Sequence, residues 1–312
     1  MATLKVEALD PNLNFGARVT GVTSEALDDP AIRAQLKQLL DDRGVIACKN
    51  VEQTSAMQVK LSEVFGPLKE HPVPSVTRAD RERLPGVIVI ASGPGSCVVE
   101  INGKPLVTWQ PWHFDHAYND EMMYAAVLRS LKIAKDGGRT AFADGIQIYN
   151  DMDPKIRAKA EGLNVMYNLD LRYDRQRFGL PKGFKLVKPH DDMTLSIENE
   201  NGRCSVHPAI WTRPQGEKIF HMCPYGCRGI EGDRSDAAFE KLAEIWNEAE
   251  RVMKVYYHEW EEGDMVIWDN TRVLHEATGS NPEEEREIHR TTIKGPLCHG
   301  WWENQQKELA SA

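Results

Sequence analysis

Short apolar segments separated by turn-forming residues recur along this chain, and they limit the folds that it can adopt. Residues 45–48, 87–90 and 265–268 are apolar runs of strand length, whereas residues 101–104 and 262–264 contain the Asn-Gly and Gly-Asp pairs of tight turns. Many short strands with turn signals, together with a few covering helices, favour an antiparallel barrel over a parallel α/β sheet. We therefore predict a mainly β fold with covering helices (α+β) and a jelly-roll core.

The helices that cover this barrel are predicted from their end signals and their periodicity. The first begins after Asp29, which is followed by a proline at the first helical position, and it ends before Gly44. A second is predicted over residues 54–65, and residues 235–251 carry an apolar stripe with helical spacing. Residues 144–163 are predicted to be helical, with a break at the proline in position 154.

One domain of ordinary globular composition accounts for the whole length, residues 1–312. Residues 164–205 are polar, rich in turn formers and contain six basic residues between positions 172 and 188. We interpret this stretch first as a solvated loop and second as a lid insertion that attracts an anionic substrate.

The net charge argues against two classes of binding partner, and the cysteines indicate the cellular compartment. The chain has a formal net charge of -9, which argues against nucleic acid and anionic membranes as partners. It contains no signal-peptide pattern and no apolar stretch that approaches the roughly 18 residues of a membrane helix. Its six scattered cysteines do not form a disulfide framework, so we expect a cytoplasmic protein with reduced thiols. We also expect a homo-oligomer.

The sharpest chemical signal is the segment Trp112-His113-Phe114-Asp115. On a strand, residues i and i+2 point to the same face, so His113 and Asp115 can aim at one point. His275 follows a buried strand 160 residues later and can complete the set. Two histidines and one carboxylate suit iron(II) and leave three coordination positions open. The alternative interpretation of the pair at 113 and 115 is a hydrogen-bonded surface pair.

Arg286 lies 11 residues beyond His275, a spacing that places it on the next strand of a barrel, one hairpin away. A guanidinium there can bind a carboxylate in a bidentate manner. The alternative is that Arg286 belongs to a surface charge network with the three glutamates at positions 283–285.

These motifs occur in an order that resembles the taurine dioxygenase / 2,4-D dioxygenase family of Fe(II)- and 2-oxoglutarate-dependent oxygenases. The metal motif matches that family's Trp-His-x-Asp, and residues 137–140 match its Gly-Gly-acid-Thr except that Arg139 replaces the acid. The similar segments are residues 14–22, 64–68, 112–115, 137–140, 207–208, 218–220, 268–275, 286 and 289–292. The resemblance implies a cupin-like double-stranded β-helix core.

The resemblance also implies roles for individual residues. His113, Asp115 and His275 would bind Fe(II). Thr140 would donate its hydroxyl to 2-oxoglutarate, and Arg286 would bind the distal carboxylate of that cosubstrate.

Four further residues lie at positions that correspond to the substrate-binding pocket of this family. Arg290 would contact the anionic group of the substrate or the cosubstrate, with its pairing to a carboxylate such as Asp269 as the alternative. His71 and Tyr225 match substrate-pocket residues of the taurine branch. Trp109 stands where the taurine enzyme has a polar substrate contact, which argues against taurine itself.

The implied activity is a dioxygenase reaction. It consumes O2 and 2-oxoglutarate, releases succinate and CO2, and hydroxylates a small, anionic organic acid, with or without later cleavage. Two alternatives use the same residues: a zinc hydrolase and a non-catalytic metal-binding barrel. Strand alternation turns His116 away from the metal, so we expect it to support a metal ligand or to lie at the surface.

Overall fold

The computed structural model describes residues 3–71, 73, 76–93, 95–170, 172–191, 202–295 and 300–305. Within these ranges, the α-helices are α1 (Pro30–Arg43), α2 (Ser55–Phe65), α3 (Gly145–Asp151), α4 (Pro154–Ala160) and α5 (Asp236–Val252). Among the described residues, no helix combines the length and the apolar character needed to cross a bilayer.

Most of the regular structure is strand. In chain order the strands are β1 (Lys5–Ala8), β2 (Ala17–Thr20), β3 (Val45–Cys48), β4 (Arg78–Asp80), β5 (Leu84–Ala91), β6 (Val98–Ile101), β7 (Lys104–His113), β8 (Ala125–Lys132), β9 (Thr140–Asp144), β10 (Asn164–Tyr167), β11 (Phe184–Lys188), β12 (Ser205–Pro208), β13 (Ile210–Thr212), β14 (Lys218–Phe220), β15 (Cys227–Ile230), β16 (Val255–His258), β17 (Met265–Asp269), β18 (Val273–Ser280), β19 (Glu287–Ile293) and β20 (Trp301–Trp302).

Two larger sheets organise these strands. One has the order β1-β2-β3-β17-β8-β19-β5-β4 and the other β11-β6-β7-β18-β9-β16 within the described residues. The strand pairs are antiparallel except for β2 with β3. Antiparallel sheets covered by a few helices confirm the mainly β prediction.

The helices begin and end where the sequence predicted. Asp29 accepts a hydrogen bond from the backbone N–H of Ala31 at the start of α1. Gly44 ends the helix with φ 74°, a left-handed conformation that costs glycine little because it has no Cβ. The apolar faces of α1 and α2 pack in one cluster with the inner side chains of β3 and β17. The predicted break at position 154 is also present, because α3 ends at Asp151 and α4 begins at Pro154.

The polar stretch at 164–205 begins and ends in strands. β10 pairs with both β12 and β15, and β11 pairs with β6. Some of its basic side chains form ion pairs at the surface, as Arg177 does with Asp236 at 2.6 Å and Lys185 with Glu100 at 2.5 Å. These pairs agree with the interpretation of a solvated surface, whereas Arg172 pairs with the buried Asp170 at 2.6 Å. The lid at 164–205 stays a prediction, and residues 171 and 192–201 of that stretch lie outside the described ranges.

Candidate metal centre

Neighbouring strands bring the three predicted metal ligands together. His113 is the last residue of β7, and it lies opposite His275 in the antiparallel pairing of β7 with β18. Asp115 follows two residues after the end of β7. One ligand atom from each residue lies within 4.8 Å of the others, and all three side chains are buried. The Nε2 atoms of His113 and His275 lie 3.7 and 3.5 Å from the two carboxylate oxygens of Asp115.

The donor set fits a divalent metal such as iron. Ligand atoms that each lie about 2.1 Å from one metal ion are roughly 3 Å apart, so a small side-chain adjustment is enough. The Nδ1 atom of His113 lies 2.7 Å from the carbonyl oxygen of Pro111. A proton on Nδ1 can be donated to that oxygen, which leaves the Nε2 lone pair for a metal.

A buried amide fixes the backbone of Asp115. Asn270 accepts a hydrogen bond from the Asp115 N–H at 2.9 Å, and it donates one to the Asp115 carbonyl oxygen at 3.0 Å. Asn270 is fully buried and directly follows β17. The sequence interpretation assigned no role to Asn270, although it belongs to the C-terminal segment on which the family resemblance depends.

Arg290 contacts the candidate metal ligand directly. Its Nη1 atom donates to Oδ2 of Asp115 at 2.5 Å. The alternative interpretation, that Arg290 pairs with a protein carboxylate, is therefore confirmed, although the carboxylate is that of Asp115 and not the suggested Asp269. Burial opposes ionisation of the Asp115 carboxyl. Arg290, followed by His275 and His113, nevertheless holds the pKa of this carboxyl well below its usual range.

The histidine of the motif is held in its neutral form. Burial, followed by the neighbouring His275, lowers the pKa of His113 to about 3. The His113 ring therefore carries no proton on one nitrogen at neutral pH, which is the state that coordinates a metal.

One cavity of about 520 Å³ unites the candidate site. Every site residue predicted from the sequence lines it: His71, Trp109, His113, Asp115, Thr140, Tyr225, His275, Arg286 and Arg290. A volume of this size lies within the ordinary range of small-molecule sites.

Arg286 is buried in the wall of this cavity with one weak hydrogen bond. It is 5% exposed, and its Nε atom donates to the carbonyl oxygen of Gly138 at 3.3 Å. In the part of the chain that the structure describes, no carboxylate lies within ion-pair distance of it, so the surface charge network with residues 283–285 is wrong. Burial lowers the pKa of Arg286 to about 10. Such a guanidinium is suited to an anionic ligand.

Thr140 lines the same cavity. Its Oγ1 atom accepts a hydrogen bond from Nε1 of Trp260 at 3.2 Å. The hydroxyl proton therefore stays available for an acceptor in the cavity.

Aromatic rings form one wall of the cavity region. The ring of Trp109 lies 5.2 Å from that of Tyr173 and 5.3 Å from that of Phe184, and Tyr173 lies 5.9 Å from Tyr225. Trp109 also donates its Nε1–H to Glu276 at 3.2 Å. These contacts fix the rings as a rigid, mainly apolar surface.

His116 does not lie at the surface, and this part of the expectation was wrong. It is 2% exposed and lines the cavity. The strand rule fails here because β7 ends at His113 and the backbone of His116 has φ 62°. The ring of His116 lies 5.3 Å from that of His71 in an edge-to-face contact.

Comparisons with known proteins identify the family. The model of the taurine catabolism dioxygenase TauD, TfdA family matches residues 5–292. The chain is 26% identical to the (S)-phenoxypropionate/alpha-ketoglutarate-dioxygenase of Sphingobium herbicidovorans, over 90% of this chain and 92% of that protein. It is 23% identical to the alpha-ketoglutarate-dependent 2,4-dichlorophenoxyacetate dioxygenase of Burkholderia sp. strain RASC, over 91% and 93% of the two chains.

A solved structure supports the fold. The crystal structure of AAD-2 in complex with Mn(II) and N-oxalylglycine matches with a TM-score of 0.71 and 17% identity, over 95% of this chain and 99% of that one. This likeness confirms the predicted jelly-roll core. The chain belongs to the TauD/TfdA family and is an Fe(II)- and 2-oxoglutarate-dependent dioxygenase.

Proposed function

We propose that His113, Asp115 and His275 hold the iron of this dioxygenase, and that Thr140 and Arg286 bind 2-oxoglutarate. The observation that carries this proposal is the buried Arg286, which lines the cavity of the three ligands and has no carboxylate partner among the described residues. A dicarboxylate that spans from the metal to Arg286 would supply that partner.

The chain's own residues prepare the reaction through position and charge. Iron(II), when bound, supplies the oxygen chemistry that couples decarboxylation of 2-oxoglutarate to hydroxylation of a substrate carbon. Arg290 holds the carboxylate of Asp115, and Asn270 holds its backbone. The apolar wall keeps water away from the reacting atoms, and the hydrogen bond of Thr140 orients the cosubstrate.

We further propose that the substrate is a small organic acid with an apolar body. The relatives named above act on phenoxy acids according to their names. The aromatic wall around Trp109 and Tyr225 would pack against the body of such a molecule. His71 and Arg290 line the same cavity and would lie near its anionic group. The two alternatives, a zinc hydrolase and a non-catalytic metal-binding barrel, do not require an anionic cosubstrate, so they would leave the buried guanidinium of Arg286 without an anionic partner.

The test is a screen for Fe(II)-dependent succinate release with 2-oxoglutarate and a panel of sulfonates, aryloxyalkanoates, amino acids and natural-product acids. We expect His113→Ala, Asp115→Ala and His275→Ala each to lose iron binding and succinate release. Iron is measured by metal analysis of the purified protein. Full iron content in any one variant removes that residue from the proposed metal site.

A cytoplasmic location and a homo-oligomeric state complete the proposal. The described cysteines are all unpaired thiols, which suits a reducing compartment. Leu131 and Ile133 are apolar and exposed, and contact with a second copy would bury them. Light scattering of the purified protein measures the oligomeric state.

A further inference from the structure

His116 is a buried polar side chain without a hydrogen-bond partner for its ring nitrogens among the residues that the structure describes. Both nitrogens lack a partner there, although the residue is only 2% exposed. Leaving a buried polar group unpaired costs about 1–3 kcal/mol, so such groups usually serve a ligand or a structural water. His116 lines the cavity of the candidate metal centre.

The backbone at this position is also unusual. His116 has φ 62°, in the left-handed region that side-chain-bearing residues seldom adopt. Strained conformations of this kind cluster at functional sites, where the surrounding structure maintains them. Here the residue with this conformation directly follows Asp115, and it lines the cavity.

A second imidazole stands beside it. His71 makes the edge-to-face contact with His116, and its Nδ1 atom accepts a hydrogen bond from the backbone N–H of Val73 at 3.2 Å. Because Nδ1 is the acceptor, the ring proton of His71 resides on Nε2, which is a donor. His116 carries at least one N–H in either protonation state. Two imidazole rings, each with an N–H group, therefore lie side by side in the lining of this cavity.

The charges around the pair favour a negatively charged ligand. Arg290 acts electrostatically on both imidazoles, and Arg78 adds a second positive charge near His71. The carboxylate that acts on both rings is that of Asp115, which Arg290 already pairs. Donors and positive charges in a cavity wall together suit the oxygens of an oxyanion.

We propose that His116 is a substrate-binding residue of this enzyme and that, together with His71, it holds an oxyanion head group of the substrate through two imidazole donors. This inference rests on the proposed function, because it takes the same cavity to be the substrate site. In this proposal the His116 side chain contributes to substrate specificity. It can do so in either protonation state, because the imidazole ring always carries at least one N–H.

The test is calorimetric titration with three probes that share an aromatic body: phenoxyacetate, phenylmethanesulfonate and phenylphosphonate. The uncharged control probe is phenoxyethanol. Each is titrated under anaerobic conditions into protein loaded with Fe(II) and 2-oxoglutarate, and into metal-free protein. His116→Gly and His116→Asn are the matched variants, because both residues accept a positive φ but only asparagine carries an N–H donor.

We expect saturable binding of at least one oxyanion to the unmodified protein. His116→Gly should weaken that binding about tenfold or more, whereas His116→Asn should retain most of it. Affinities for phenoxyethanol, Fe(II) and 2-oxoglutarate should stay unchanged. The proposal is overturned if no oxyanion binds, if the glycine variant binds as well as the unmodified protein, if the asparagine variant loses as much as the glycine variant, or if phenoxyethanol and the oxyanions weaken equally.

The experiment distinguishes a failure of this inference from a failure of the proposed function. Protein that fails to take up Fe(II) and 2-oxoglutarate contradicts the proposed function. The titrations of the metal-free protein still decide the role of His116, because both imidazoles belong to the chain itself.

Discussion

Replacement of Arg286 by methionine should have opposite effects on stability and on cosubstrate binding. The guanidinium is 5% exposed, and its hydrogen bond to Gly138 is long at 3.3 Å. Burial lowers the pKa of Arg286 from its ordinary 12.5 to about 10. This fall corresponds to about 3 kcal/mol, at about 1.4 kcal/mol for each tenfold change in proton affinity. That free energy destabilises the cosubstrate-free protein.

Methionine has a similar length and no charge, so Arg286→Met should raise the free energy of unfolding of the cosubstrate-free protein by about 1–3 kcal/mol. The same change should weaken 2-oxoglutarate binding by about 2–5 kcal/mol, which is about 30-fold or more. Urea denaturation followed by tryptophan fluorescence measures the first quantity. Anaerobic calorimetry with Fe(II) measures the second.

Arg139→Met is the matched control. Arg139 is close to Arg286 in the fold, but its side chain is 44% exposed and pairs with Glu259 at 3.7 Å. This variant should change both quantities by less than about 0.5 kcal/mol. The reasoning is refuted if Arg286→Met destabilises the cosubstrate-free protein and leaves 2-oxoglutarate binding intact, because Arg286 would then be a structural residue.

Three further predictions concern residues that support the site. Asn270→Ala should reduce iron affinity about 10- to 100-fold by releasing the backbone of Asp115, as measured by competition with a chelator. Burial raises the pKa of Glu276 to about 7. The folded state then binds more protons than the unfolded state between pH 4.5 and about 7, so the free energy of unfolding should fall as pH rises through this window. Glu276→Gln should remove that fall in denaturation curves of the metal-free protein; an unchanged slope would contradict the assignment. Asp144→Ala leaves the buried Arg272 without its carboxylate and should cost about 3–5 kcal/mol in urea denaturation, and a loss below 1 kcal/mol would refute the pairing argument.

Features set by adjacent residues were predictable from the sequence. The limits of α1 depend on Asp29, on the proline that follows it and on Gly44, and all three act within one turn of the helix. Likewise, the spacing of His113 and Asp115 predicted that their side chains converge, and their ligand atoms do lie close together, although Asp115 lies two residues beyond the end of β7 and not on the strand. Such signals need no knowledge of the fold.

Features that depend on contacts between residues far apart in the sequence were harder to predict. The contact of Arg290 with Asp115 joins residues 175 positions apart, and it depends on the order in which β8, β19 and β5 pair. His116 was misplaced because alternation assumes an extended backbone, which ends at His113. The roles of His71 and Thr140 came from the resemblance, since no local pattern marks them, whereas Arg286 was also indicated by its spacing from His275.

The position of the last strands has a consequence for how this chain folds during synthesis. β17 lies between β3 and β8, β18 between β7 and β9, and β19 between β8 and β5. Both large sheets are thus joined in their interiors by residues 265–293, which leave the ribosome after the strands that they join. Until then, the early strands expose unpaired edges, and closing contacts of such long sequence separation is slow. The nascent chain should therefore need protection by chaperones for nearly its whole translation, and a fragment that ends before residue 265 should aggregate rather than form half a barrel.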